Sequence, residues 1–343
     1  MGILFVKAVR EFAEDRQMTI GNRRISFEDL KFARRVDLTF QTTESTHKTG
    51  YSYLEDPNAL KQLLPLPGFL FNPLKKYRLP YETVESDDIR FHGQKTIVYL
   101  HGSGSISEDN SILHGILLQN GCDIIRISYR INYEDAGVQY PKKTEDMLPF
   151  LAQTEEKIAP AMNEELINIL IMIKGRYPDL FKNKEVILLA HSLGGGLAAN
   201  LAATFTEIQF SKFVNLDGTL MNPAIRSGIN VNQLHLSQDR LFKPEWLDEE
   251  ESGDMAKAIG QDYCKKIGML LSHSKQEKIW IQIKDSSHFT FTDFPNLLKH
   301  YKVFSKLAGD LDAAGRIRKY TLTFILGNEM QIDPKDLLIN PGQ

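Results

Sequence analysis

Apolar residues in this chain gather into short runs separated by polar and glycine-rich breaks. Thr96-Ile-Val-Tyr-Leu100 ends at His101-Gly102. Cys122–Ser128, Val186–Ala190, Phe213–Leu216, Gln233–Leu236 and Ile279–Ile283 follow in order. Short runs of this kind, rich in Val and Ile and bounded by turn residues, read as strands buried on both faces. Between them the period lengthens: Leu166, Ile169, Leu170 and Ile173 fall at i, i+3, i+4 and i+7, one face of a helix. Buried strands alternating with helices predict an α/β class fold, a mainly parallel central sheet with helices on both faces. Residues 1–40 read as a helical start followed by a short strand, Val36–Phe40, of alternating polarity. The Leu63–Phe71 stretch is apolar but broken by Pro65, Pro67 and Gly68, which argues against a regular helix. The change of texture near residue 95 divides the chain into an N-terminal extension with the first strands (1–90) and a core with a C-terminal helix (91–343).

Composition narrows the field. The chain has 343 residues, 42% hydrophobic and 25% charged, the balance of a globular protein rather than a disordered or fibrous one. Its net charge of −3 gives no global pull toward nucleic acid, so no nucleic-acid partner is expected. Cys122 and Cys264 are the two cysteines, too few for a disulfide framework and without metal-ligand spacing. No metal or organic cofactor is expected. The opening residues Met1–Val6 are too short an apolar run for a secretory leader, which needs roughly 7–15 residues. No stretch approaches the roughly 20 apolar residues of a membrane span. The expectation is a soluble protein, cytoplasmic or exported without a cleaved signal peptide. Residues 61–80, where Lys75, Lys76 and Arg78 follow the apolar stretch, have the composition of a peripheral membrane contact. A buried connection with a solvated basic end explains the segment more simply.

In open α/β sheets, active sites lie beyond the carboxyl ends of the strands, so the residues after each strand carry the candidate chemistry. After the third comes Ala190-His191-Ser192-Leu193-Gly194-Gly195-Gly196 and then a helix-like segment. This is the strand–turn–helix context of a nucleophile elbow, G-x-S-x-G, with Ala190 in place of the first glycine. Small residues let the turn lift a serine hydroxyl into the open, at a helix N-terminus whose amides can stabilise an oxyanion. The bland alternative is that Ser192 caps a helix. After the first strand, His101-Gly102-Ser103-Gly104-Ser105 is a turn able to aim a backbone N–H at developing negative charge. It lacks the Gly-Lys-Ser/Thr of a phosphate loop and the G-x-G-x-x-G of a dinucleotide site. Asp217 follows the fourth strand, Asp239 the fifth, and His288 the sixth. A serine nucleophile needs a base near neutrality, which histidine supplies, and a carboxylate to orient that base. The residues alone leave Asp217 and Asp239 open as that carboxylate.

Four blocks together resemble the α/β-hydrolase superfamily. They are His101-Gly102-Ser103-Gly104, His191-Ser192-Leu193-Gly194-Gly195, Leu216-Asp217-Gly218-Thr219 and the stretch from Ser287-His288 to Asp293-Phe294. The last two resemble more narrowly the plasma-type platelet-activating-factor acetylhydrolase family and its dienelactone-hydrolase-like and polyester-hydrolase neighbours. The resemblance covers roughly residues 95–300. It implies Ser192 as nucleophile, His288 as base, Asp217 rather than Asp239 as acid, and the amides of Ser103 and Leu193 as oxyanion donors. It further implies hydrolysis of carboxylic esters, of the short-chain or acetyl lipid and phospholipid kind, through an acyl-enzyme. A thioesterase, peptidase or acyltransferase would use the same groups, and a catalytically silent binding scaffold would keep the fold without the chemistry.

Overall fold

The computed structural model describes residues 19–28, 33–44, 82–85, 90–131, 133–240, 243, 254–298 and 309–340. The 61–80 segment weighed above as a membrane contact lies outside the described residues. A single sheet runs through the molecule. Its strands are β1 (Thr19–Glu28), β2 (Ala33–Glu44), β3 (Glu82–Glu85), β4 (Lys95–Leu100), β5 (Cys122–Ile131), β6 (Glu185–His191), β7 (Phe210–Leu216), β8 (Asn232–Gln238), β9 (Lys278–Ile283) and β10 (Leu337–Ile339). Their spatial order is β10-β9-β8-β7-β6-β4-β5-β2-β1-β3. Every pairing from β5 across to β9 is parallel, while β2 runs antiparallel to β5 and β10 antiparallel to β9. The main helices among the described residues are α1 (Ser111–Gln119), α2 (Met147–Gln153), α3 (Ala159–Arg176), α4 (Leu193–Thr204), α5 (Ala224–Ser227), α6 (Met255–His273), α7 (Phe294–Leu298) and α8 (Leu311–Leu326). None is long and apolar enough to cross a membrane.

The unbroken apolar runs of the central strands follow from burial on both faces. Along β4, Val98 and Leu100 join one buried cluster, while Ile97 and Tyr99 join the other. Along β6, Leu188 and Ala190 face the first cluster, Ile187 and Leu189 the second. Successive strand side chains point to opposite faces, so a strand covered by helices on both sides has no polar register. Helix α3 covers the first face with Met162, Leu166, Ile169, Leu170 and Ile173, all buried, the stripe that its sequence period predicts. Helix α8 covers the second with Ala313, Ile317, Tyr320 and Phe324. It starts at Asp310, whose carboxylate accepts the Asp312 N–H, and ends at Gly327 in the left-handed conformation.

The N-terminal region departs from the sequence reading. Residues 19–28 form a strand, not part of a helical start, and pair along their whole length with β2. The strand expected at Val36–Phe40 extends over Ala33–Glu44 because both of its edges are paired, to β1 and to β5. Cross-strand partners distant in sequence decide such elements, and no local period reports them. Strands β3 and β10 are short pieces added at the two edges, and the sequence reading named neither.

Candidate active site

The parallel strands end on one side of the sheet, and the candidate residues gather there. Ser192 follows β6 directly, with φ 56° and ψ −126°. An L-residue at positive φ is strained by about 1–3 kcal/mol, which the surrounding bonds must hold. Here the Ser192 N–H donates to Leu216 O at 3.2 Å, and Ser192 O accepts from Gly195 N at 2.9 Å. The missing side chains around the turn have a steric cause. A Cβ on Gly194 would run into the carbonyl oxygens of Leu100 and His101, the latter at 2.7 Å. A Cβ on Gly102 would lie 2.7 Å from Ser192 Cβ. The loop after β4 and the serine turn therefore pack as close as glycine permits.

His288 opens a one-turn helix, His288–Phe291, after β9. A capping box fixes that turn: the Ser287 side chain accepts the Thr290 N–H, and Ser287 N–H donates to Thr290 Oγ1 at 2.8 Å. Its imidazole is the middle of a series. Nε2 lies 3.0 Å from Ser192 Oγ, and Nδ1 lies 2.7 Å from Asp217 Oδ2. Asp217, just past β7, also has positive φ, 50°. Its carboxylate is buried and accepts from Gln238 N at 3.0 Å, Gln238 Nε2 at 2.7 Å and Tyr263 OH at 3.3 Å. These donors fix the carboxylate so that Oδ2 points at the imidazole. The backbone beneath it is held by Asn215, which accepts from Gly218 N and donates to Gly218 O, both at 3.0 Å.

Asp239 is placed elsewhere. Its Oδ2 accepts the Asp285 N–H at 2.9 Å and pairs with Lys284 Nζ at 3.3 Å, shaping the loop that leads to His288 rather than touching the imidazole. The structure thus brings together Ser192, Asp217 and His288 and leaves Asp239 on the turn before the histidine. Ser103 and Leu193 flank the serine in the two loops expected to supply amides, and both line the same cavity as Ser192.

The loop carrying Ser103 is tied down from beneath. Tyr129 N–H donates to His101 Nε2 at 3.0 Å, so His101 Nδ1 carries the proton and donates to Gly102 O at 2.7 Å. Burial lowers the His101 pKa, keeping this tautomer neutral. Ser105 Oγ donates to Asp109 Oδ2 at 2.6 Å, and Tyr99 OH donates to the other oxygen. Burial pushes the Asp109 carboxyl up, but His191, His101 and Ser105 outweigh it and hold it below the usual carboxylate range. His191 Nδ1 lies 3.6 Å from Asp109, and its ring sits against the His288 ring at 4.8 Å between centroids. Asp293 N–H donates to Asp109 O at 2.7 Å and Asp293 Oδ2 accepts the Ile112 N–H at 2.9 Å, fastening the histidine loop to α1.

Ser192 opens into a cavity of about 830 Å³, within the range of roughly 300–1,000 Å³ typical of small-molecule sites. One wall comes from the segment after β5 and from α2. There Tyr133, Tyr140 and Phe150 pack on one another with ring centroids 5.2–5.6 Å apart. Tyr133 OH lies 2.5 Å from Ser103 Oγ, and burial raises its pKa well above the usual phenol. Phe289 and Phe294 stand on the histidine side. Lys142 and Lys143 also line the cavity. Among the described residues no cluster of three or more His, Cys, Asp or Glu is arranged to hold a metal ion.

Sequence reasoning named the three central residues but not those that hold them: Gln238, Tyr263, Asn215, Tyr133, Asp109 and His191. Only Asn215 leaves a local trace, since Asn two residues before Asp-Gly is turn chemistry. The others converge from distant strands and helices.

No protein-family model and no curated protein sequence matches the chain. Solved structures do. A ferulic acid esterase from Streptomyces cinnamoneus superposes with a TM-score of 0.64 over 94% of this chain and 96% of that one, at 16% identity. A dienelactone hydrolase from Anabaena variabilis (TM-score 0.47, 12% identity, 90% of this chain and 98% of that one) and a Pyrococcus horikoshii acylaminoacyl peptidase (0.47, 9%, 94% and 44%) match more loosely. At such identities similarity speaks for architecture alone. Taken with the sheet order and the strand-end site, it shows that this chain has the α/β-hydrolase fold.

Proposed function

We propose that the chain is a serine-dependent hydrolase of carboxylic esters, working through an acyl-enzyme. The observation that carries this reading is the unbroken series Ser192 Oγ–His288–Asp217 at the edge of a cavity, with links of 3.0 and 2.7 Å. His288 Nε2 takes the Ser192 proton as Oγ attacks the ester carbonyl. Asp217, fixed by Gln238 and Tyr263, holds Nδ1–H and stabilises the imidazolium that forms. The oxyanion develops toward the amides of Ser103 and Leu193 at the head of α4. His288 then protonates the leaving alcohol, and water repeats the sequence on the acyl-enzyme. The similarity to a ferulic acid esterase fold is consistent with ester chemistry.

The finer reading is a short-chain or acetyl ester of a lipid or phospholipid, as in the acetylhydrolase branch that the Leu216–Thr219 and Ser287–Phe294 motifs resemble. The apolar wall of Tyr133, Phe150 and Met147 supports an apolar acyl group. Hydrolysis of p-nitrophenyl esters from acetate to palmitate, with Ser192→Ala beside the wild type, tests both levels. The expected result is activity that peaks at short chains and vanishes in the variant. A long-chain peak would keep the chemistry and move the substrate to a lipase type. Turnover that survives Ser192→Ala would remove the mechanism. Thioester and amide analogues in the same assay separate the thioesterase and peptidase alternatives.

A further inference from the structure

The charges around the cavity point to a substrate class. Apart from the imidazoles, the charged side chains that line it among the described residues are Asp217, Lys142 and Lys143. Asp217 is spent on His288, Gln238 and Tyr263, and it is buried. Among the described residues the two lysines are the remaining charges of the lining, and neither ammonium group has an ion-pair partner there. Their nearest acids in sequence, Glu145 and Asp146, do not line the cavity. Asp146 instead accepts the backbone N–H groups of Lys142 and Lys143, each at 3.2 Å, and so fixes the course of the segment that bears them. That segment also carries Tyr133 and Tyr140, so the cationic pair and the aromatic wall bound one end of the cavity.

We propose, resting on the esterase reading above, that this enzyme selects esters with an anionic group (a carboxylate, phosphate or sulfate) remote from the scissile bond, held by Lys142 and Lys143. A cationic pair at a pocket wall raises the local concentration of anions and favours the complex over that of a neutral isostere. Both lysines are solvent-exposed, so the preference is modest and screened by salt.

Two matched pairs of esters test this. The first carries the charge on the acyl side: the p-nitrophenyl esters of 4-carboxybenzoate and of 4-carbamoylbenzoate. The second carries it on the alcohol side: 4-acetoxybenzoate and 4-acetoxybenzamide. For each pair the readout is the ratio of kcat/KM, anionic over neutral, in the wild type, in Lys142→Gln/Lys143→Gln and in the remote control Lys275→Gln. The expected result, in one pair, is a ratio about 5- to 20-fold higher in the wild type than in the double variant. It should fall as ionic strength rises and be retained in Lys275→Gln. The pair that responds tells which side of the ester carries the anion. Equal ratios in wild type and double variant, in both pairs, would overturn the proposal while Ser192-dependent turnover of the neutral esters still supports the esterase reading. Loss of turnover on all four esters would overturn that reading, and this one with it.

Discussion

Asp217 and Asp239 show how far a residue's role depends on what lies around it. Each follows a strand of the same sheet, and in sequence each satisfies the requirement for an orienting acid. One accepts three donors and meets the imidazole at 2.7 Å, while the other caps the turn before it. Asp217→Asn is therefore expected to lower kcat by about three to four orders of magnitude, because an amide cannot stabilise the imidazolium. Asp239→Asn should stay within about tenfold of wild type, through small displacement of His288. Steady-state kinetics on one short-chain ester separates the two, and the reverse ranking would reassign the acid. Ser192 stood out through its local strand–turn–helix motif, whereas His288, one of nine histidines, stood out only in conjunction with the other residues that follow strands. The residues alone left the proposed acid open, since Gln238 and Tyr263, which bond the Asp217 carboxylate, come from β8 and α6.

At the scale of elements, the proposed reaction geometry is a property of strand ends. The strands β4, β6, β7 and β9 each deliver one part: the Ser103 loop, Ser192, Asp217 and His288. The register that aligns them is visible in the pairing of Leu100 with Ala190 and of Ala190 with Asn215. Alanine at position 190, where the elbow pattern has glycine, is buried in that register without disturbing it. Gly194 has no such latitude, because backbone oxygens occupy its Cβ position. Gly194→Ala should destabilise the fold by about 2–3 kcal/mol or more, since neither carbonyl can move without shifting β4. Denaturant unfolding checks this, and a variant with wild-type stability and activity would show that the loop relaxes. The central strands were legible because burial on both faces writes an unbroken apolar run. Strands β1 and β2 were not, since their partners decide them.

Over the whole molecule, the sheet's burial gives the protein an acid limit. His114 and His235 are fully buried, and burial lowers each pKa to about 3 from an ordinary value of 6.5. Both are therefore neutral in the folded state. Between pH 6.5 and 3 the unfolded chain binds protons that the folded one does not. Stability from these groups is thus present above pH 6.5 and is lost as pH falls, by up to about 1.4 kcal/mol per pH unit for each histidine. His114 has no hydrogen-bond partner for either ring nitrogen among the described residues, while His235 contacts Asn215 and Gln233. His114→Leu should flatten the acid limb of a stability–pH curve measured by urea unfolding; an unchanged limb would place the titration elsewhere.

The central claim is that Ser192 is a nucleophile activated by His288 and Asp217. A fluorophosphonate probe followed by peptide mass mapping tests it most directly, because the reagent phosphonylates activated serines without asking which ester the cavity prefers. The account predicts one adduct, on the peptide containing Ser192, formed rapidly in the wild type and lost in His288→Ala. An intact folded protein that does not label, or labels at another serine, would contradict it.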